Sequence, residues 1–129
     1  MKDKVLVDTS VWIEFFKSKS EIGNRLEALL KGNSVWTCGI AMFELLQGVK
    51  SDSERETILG ILSTLPYLEM SIDLWQKSAA ISLSLKKRGI TLPLSDIFIA
   101  SIAIEYNLSV FTLDNHFEQI PNLSLYKPS

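Results

Sequence analysis

The run LSDIFIASIAIEYNLSVFTLD, Leu94 to Asp114, decides how the rest of this 129-residue chain is read. From Ile97 to Ile104 it is almost continuously apolar. That predicts a helix starting near Ser95 in a central, buried position. The segment LSVFTLD then reads as a short strand ending in an acid.

The same grammar recurs toward the N-terminus. KVLV (4–7) is a brief β-branched apolar run and predicts a buried strand, followed by a helix over TSVWIEFFK that Asp8 or Thr9 caps. SEIGNRLEALLKGN predicts a second helix, with Ser20 as cap, Leu26, Leu29 and Leu30 on its apolar face, and Gly32 closing it. SVWTCG predicts a strand and IAMFELLQGV a helix. KSDSERE is the most loop-like interior stretch, and ERETILGILSTL after it predicts a further helix. YLEMS is a weak strand. IDLWQKSAAISLSLKKRG predicts a long helix with a basic last turn, as the helix dipole prefers. NHFEQI predicts a short helical turn and LSLY a last edge strand. Strands alternating with helices point to an α/β fold with a mainly parallel sheet covered on both faces.

Composition agrees with one globular domain over 1–129. Hydrophobic residues make up 47% and charged residues 22%, and 13 basic against 15 acidic side chains leave a net charge of −2. That balance neither signals nor excludes a nucleic-acid partner, because acids gathered in one pocket mask basic residues elsewhere. Cys38 is the only cysteine, which excludes an internal disulfide and fits a reducing cytoplasm. Asp8 and Glu14 interrupt what would have to be a clean signal-peptide core, and no stretch is long and apolar enough for a membrane span.

Four carboxylates stand in unusual places. Asp8 follows the strand VLV, Asp114 follows SVFTL, Asp96 opens the apolar helix, and Glu44 lies inside IAMFELL on a face shared with Ile40, Ala41 and Gln47. In an open parallel sheet, ligands bind beyond the carboxyl ends of the strands where strand order reverses. If the strands before Asp8 and Asp114 are neighbours, the two acids lie about 5 Å apart. Two unit charges at that distance repel by roughly 3 kcal/mol at an effective dielectric near 20. Six such pairs would exceed a domain's whole stability of ~5–15 kcal/mol. A converged site of this kind therefore needs shared protons or hard divalent cations, Mg²⁺ or Mn²⁺. Each acid also has an ordinary alternative: Asp8 as a cap, Asp96 on the helix dipole, Asp114 in a turn, and Glu44 on a buried backbone group.

In VLVDTSVWIEFF, FELLQGVKS and LPLSDIFIASIAIEYNLSVFTLDNHFEQI the chain resembles the PIN-domain ribonucleases, and among them the VapC-type toxins of toxin–antitoxin modules. The resemblance implies a PIN-like three-layer α/β/α fold with a mainly parallel sheet of four or five strands. It implies that Asp8, Glu44, Asp96 and Asp114 are the catalytic, metal-binding acids. Thr9, Ser10 and Thr112 match hydroxyl residues lining the same pocket, where they would orient a carboxylate. The implied cofactor is Mg²⁺ or Mn²⁺. The implied partners are an RNA substrate, a VapB-like antitoxin and a second copy of the chain, with no membrane. Phe43 before Glu44 and DNHF after the last strand depart from the common pattern without removing an acid.

The resulting expectation is a cytoplasmic, metal-dependent endoribonuclease that cleaves RNA with metal-activated water. The alternative is a non-catalytic PIN-fold module that binds RNA or protein. A haloacid-dehalogenase-type phosphatase would require an acid where Ser10 stands. The single histidine, His116, cannot supply the histidine pair of metal-free ribonucleases, and it is expected as a loop or surface residue. Lys17, Lys19, Arg25 and Lys86–Arg88 are candidates for a basic rim. Trp12, Phe15, Phe16, Trp36 and Phe43 are expected mostly in the core, with base stacking as the other use. The leucine and isoleucine faces of the second and fourth helices are expected to leave apolar surface for a partner.

Overall fold

The computed structural model describes residues 3–17 and 19–128. Five strands, β1 (Val5–Val7), β2 (Val35–Cys38), β3 (Tyr67–Leu68), β4 (Ser109–Phe111) and β5 (Ser124–Leu125), form one parallel sheet in the order β3-β2-β1-β4-β5. Six helices connect them: α1 (Thr9–Lys17), α2 (Glu21–Lys31), α3 (Gly39–Gln47), α4 (Asp52–Leu62), α5 (Ile72–Lys87) and α6 (Leu94–Glu105). A 3₁₀ turn, Asn115–Gln119, lies between β4 and β5.

The central strands β1, β2 and β4 are largely buried on both faces because successive side chains point to opposite sides and helices cover each side, whereas the edge strands β3 and β5 are partly exposed. Leu6 and Val110 join one core with Leu74, Leu85, Ile99 and Ile102. Val5, Val7, Val35 and Phe111 join the other with Val11, Trp12, Leu26 and Leu62. This is the expected three-layer α/β/α arrangement, with α5 and α6 packed on one face and α1, α2 and α4 on the other. α6 is nearly enclosed, as its composition predicts: Ile97, Ile99, Ala100, Ile102 and Ala103 are all buried. Among the described residues, no helix is long and apolar enough to cross a membrane.

Local signals place most boundaries. Ser20 and Ser71 accept from the backbone N–H groups of Gly23 and Leu74 and start α2 and α5. Asn33 and Asn107, with φ of 56° and 57°, turn α2 and α6 into β2 and β4 through the left-handed conformation that asparagine tolerates.

Three expectations are corrected. α4 begins at Asp52, so most of KSDSERE is helix. Ser51 accepts from Glu54 N–H while the Glu54 carboxylate returns to Lys50 N–H, and this reciprocal capping recruits the polar residues. β4 stops at Phe111, short of Asp114. Leu26, Leu29, Ile58 and Leu62 are buried in the core, and the large exposed apolar side chains lie on other elements, among them Ile13, Phe43, Ile72, Trp75, Leu83 and Leu94.

Candidate active site

Chain order runs outward from β1 through β2 to β3, then returns to place β4 on the other side of β1. The reversal opens a crevice beyond the carboxyl ends of β1 and β4, where an α/β sheet binds ligands. Asp8 is the first residue past β1. Its N–H donates to Phe111 O at 2.9 Å, and its carbonyl receives the first helical N–H groups of α1. Capping of α1 thus uses the Asp8 backbone, and the carboxylate goes elsewhere. Ser10 Oγ and Thr112 Oγ1 both donate to Asp8 Oδ2, each at 2.8 Å.

The strands before Asp8 and Asp114 are neighbours, the condition for a close approach of the two acids, but Val7 pairs with Phe111. That register sets Thr112, not Asp114, opposite Asp8. Asp114 sits two residues further along, where its N–H donates to Thr112 Oγ1 at 2.9 Å. Its own carboxylate accepts the His116 N–H at 3.0 Å and starts the 3₁₀ turn, so the ordinary turn role also exists. Asp96 lies in the first turn of α6 and is 6% exposed. Glu44, on α3, accepts from Thr9 Oγ1 at 2.9 Å.

The expected site residues form two hydrogen-bonded groups that start from consecutive residues at the head of α1. Glu44 meets Thr9 at the head of α1. Asp8 meets Ser10 and Thr112, and Thr112 holds Asp114. All three expected hydroxyls bond an acid. The approach is not uniform, however. Asp96, Asp114 and His116 each offer a ligand atom within 4.8 Å of the other two, while Asp8 and Glu44 stand outside this tight group.

His116 is a partly exposed turn residue, as expected, and it also faces the acids: its Nδ1 lies 2.9 Å from Asp96 Oδ2 and 3.0 Å from Asp114 Oδ1. The sequence signal was its place two residues after Asp114, which a tight turn converts into a shared pocket.

Charges in the crevice act on one another. Burial pushes the Asp96 carboxyl above its ordinary pKa; the hydrogen bond from His116 opposes this, and the fields of Asp8 and Asp114 add to it. The bond to Asp96 is the main cause holding the His116 imidazole above its usual value. Below the crevice, burial raises the pKa of the Cys38 thiol, and Glu44 and Asp8 raise it further. Negative charge at the site is thus incompletely neutralised by the protein. Carboxylate oxygens from several elements, with Asp96 buried and Asp114 reachable from solvent, are a donor set that fits a hard divalent cation.

Thr112 is the joint of this set, since its hydroxyl donates to Asp8 and accepts from Asp114 N–H. Thr112→Val keeps the shape and removes both bonds. It is expected to lower metal affinity by about 10- to 100-fold, the range for a residue that orients a ligand. Titration calorimetry with Mn²⁺ checks this.

Comparison with known proteins places the architecture. The PIN domain family model matches residues 5–123. Ribonuclease VapC1 of Methanocaldococcus jannaschii is 33% identical over 128 residues, covering 96% of this chain and 86% of that protein. Ribonuclease VapC2 of Rickettsia felis is 29% identical, covering 93% and 94%. Among solved structures, the DNA-bound VapBC from Salmonella typhimurium superposes with a TM-score of 0.83 at 25% identity, covering 96% of this chain and 97% of that one. With its parallel five-stranded sheet and its acids gathered at the β1–β4 reversal, the chain belongs to the PIN domain family, among the VapC-type ribonucleases.

Proposed function

We propose that this chain, as a single PIN-like domain over 1–129, is a divalent-metal-dependent endoribonuclease and the toxin of a toxin–antitoxin pair. The observation that carries the proposal is the gathering of acids at one crevice, where Thr9, Ser10 and Thr112 each donate a hydrogen bond to a carboxylate. Asp8 and Asp96 would ligate Mg²⁺ or Mn²⁺ directly. Asp114 would do so directly or through water, and Glu44 would ligate or orient the attacking water. The bound ion supplies activation of a water nucleophile at neutral pH and charge for the leaving oxygen. The chain's own residues position these groups. Ser10 and Thr112 hold the Asp8 carboxylate through one oxygen, Oδ2, and Thr9 holds Glu44 through Oε1, which leaves the second oxygen of each acid without a bond from these hydroxyls. The RNA 2′-hydroxyl has no part in the chemistry, so the products carry 5′-phosphate and 3′-hydroxyl ends.

Lys17 and Lys50 line a groove of about 590 Å³ that reaches Glu44 between α1, α3 and α4, with Ile13, Phe16 and Ile58 as its apolar floor. Basic groups there suit RNA phosphates, and the apolar floor suits an antitoxin helix. Lys86–Arg88 instead close α5 and do not line this groove. The VapBC pair of Salmonella typhimurium, in the same fold, supports a VapB-like partner. The exposed Trp75, Leu83 and Leu94 support a homodimer contact, and the lone buried thiol suits a cytoplasmic protein.

Incubation of the purified chain with structured RNA tests the proposal. Cleavage is expected with Mg²⁺ or Mn²⁺, is abolished by chelation, and returns when the ion is restored, with 5′-phosphate at the new ends. RNA left intact under all these conditions would favour a binding module without turnover.

A further inference from the structure

His116 is the feature of the crevice that the acids alone do not explain. Its Nδ1 is almost equidistant from two carboxylate oxygens, 2.9 Å from Asp96 Oδ2 and 3.0 Å from Asp114 Oδ1. These oxygens come from different elements, α6 and the segment after β4. A single N–H proton points well at only one acceptor. Moreover, Asp114 Oδ1 already accepts the backbone N–H of His116 at 3.0 Å.

One of the two contacts is an ordinary hydrogen bond in the metal-free protein, and a bound ion would hold both at the same spacing. Ligands at adjacent corners of an octahedral ion with bonds of about 2.1 Å lie roughly 3.0 Å apart. Two N···O separations of 2.9 and 3.0 Å, converging on one nitrogen, match two such edges. The three candidate ligand atoms all lie within 4.8 Å of one another, a grouping that could hold a single ion. The 3₁₀ turn fixes this placement: Asp114 caps it, His116 is in its first turn, and buried Phe117 anchors it in the core.

We propose that His116 Nδ1 is a ligand of the metal centre, making with Asp96 and Asp114 a mixed nitrogen–oxygen site that prefers a first-row transition ion to magnesium. Nδ1 then carries the lone pair, and Nε2 carries the ring proton. Imidazole is a softer donor than a carboxylate and suits transition ions, whereas all-oxygen sites suit Mg²⁺. The inference rests on the metal-dependent reading of the acids and adds to it a nitrogen ligand.

His116 is the sole histidine of the chain, which makes the test unambiguous when the protein is purified without a histidine tag. Mn²⁺ is added to wild-type protein, and electron spin-echo modulation is recorded with natural-abundance and ¹⁵N-histidine-labelled samples. The expected result is a directly coupled ¹⁴N signal that becomes ¹⁵N on labelling. His116→Gln, checked for folding by circular dichroism, is expected to bind Mn²⁺ at least tenfold more weakly and to lose less Mg²⁺ affinity. Bound Mn²⁺ without histidine nitrogen coupling overturns the inference and leaves the carboxylate site standing. Failure to bind Mn²⁺ at all overturns both.

Discussion

Asp96→Asn is expected to abolish metal-dependent RNA cleavage, by at least about 100-fold, while making the metal-free protein more stable rather than less. Loss of a residue that merely orients a metal ligand costs about 10- to 100-fold, and loss of a ligand should cost no less. The stability change follows from the environment of the carboxyl. Asp96 is buried, and its pKa is raised first by that burial and then by Asp8 and Asp114. A carboxyl whose folded pKa lies above its unfolded value opposes folding at every pH above the folded pKa. That penalty fades as pH falls toward the unfolded value near 3.8. The neutral amide removes the penalty and still offers His116 an acceptor. Urea denaturation of the chelated wild type and variant at neutral pH, together with an RNA cleavage assay, measures both quantities. A structural ion pair between Asp96 and His116 would give the opposite sign, because the amide would then remove the charge partner of the imidazolium. A variant that is less stable without metal yet still cleaves RNA would sink the assignment.

Trp12→Ala is expected to destabilise the fold by about 3–5 kcal/mol, a large share of the ~5–15 kcal/mol available to a domain. From sequence, Trp12 has two possible uses: packing in the core or stacking on RNA bases. In the structure it is 0% exposed, on α1, in the core that holds Val5, Val7, Leu26 and Phe111. Phe16 stacks on it with ring centroids 5.8 Å apart, and Phe15 meets it edge-on at 5.8 Å. Truncation removes the centre of this cluster directly behind Asp8, leaving a cavity that flanking strands cannot close. Trp12→Phe retains most of the apolar volume and is expected to cost less than about 1.5 kcal/mol while keeping cleavage activity. Chemical denaturation followed by circular dichroism separates the two variants. A loss below about 1 kcal/mol for Trp12→Ala would mean that the ring is not part of the core. Of the five aromatic residues considered for base stacking, Phe43, 66% exposed and next to Glu44, is the most exposed.

The sequence by itself determined the elements and the identity of the acids. Buried strands announced themselves as runs such as VLV and SVF, helices by apolar spacing and by Ser20 and Ser71 before their first turns, and the layered α/β class by alternation. These are local properties, set by residues within four or so positions of one another. The Ser51–Glu54 cap was written there too, but polar composition concealed it as a loop. The four acids were visible because each interrupted an apolar or strand-end context, and their order matched a known family.

Only the tertiary structure decided how those acids meet. The register Val7↔Phe111, between strands about a hundred residues apart in the chain, chose Thr112 as the partner of Asp8 and moved Asp114 toward Asp96 and His116. Both strands are buried on both faces apart from Ser109 at the start of β4, so they are almost wholly apolar and lack the alternation that would specify a register. The 3₁₀ turn then brought His116 into the crevice, a result of Asp114 capping and Phe117 anchoring that no periodicity records. Pairing across such separations is selected by the packing of whole layers, and the site exists where that packing reverses direction.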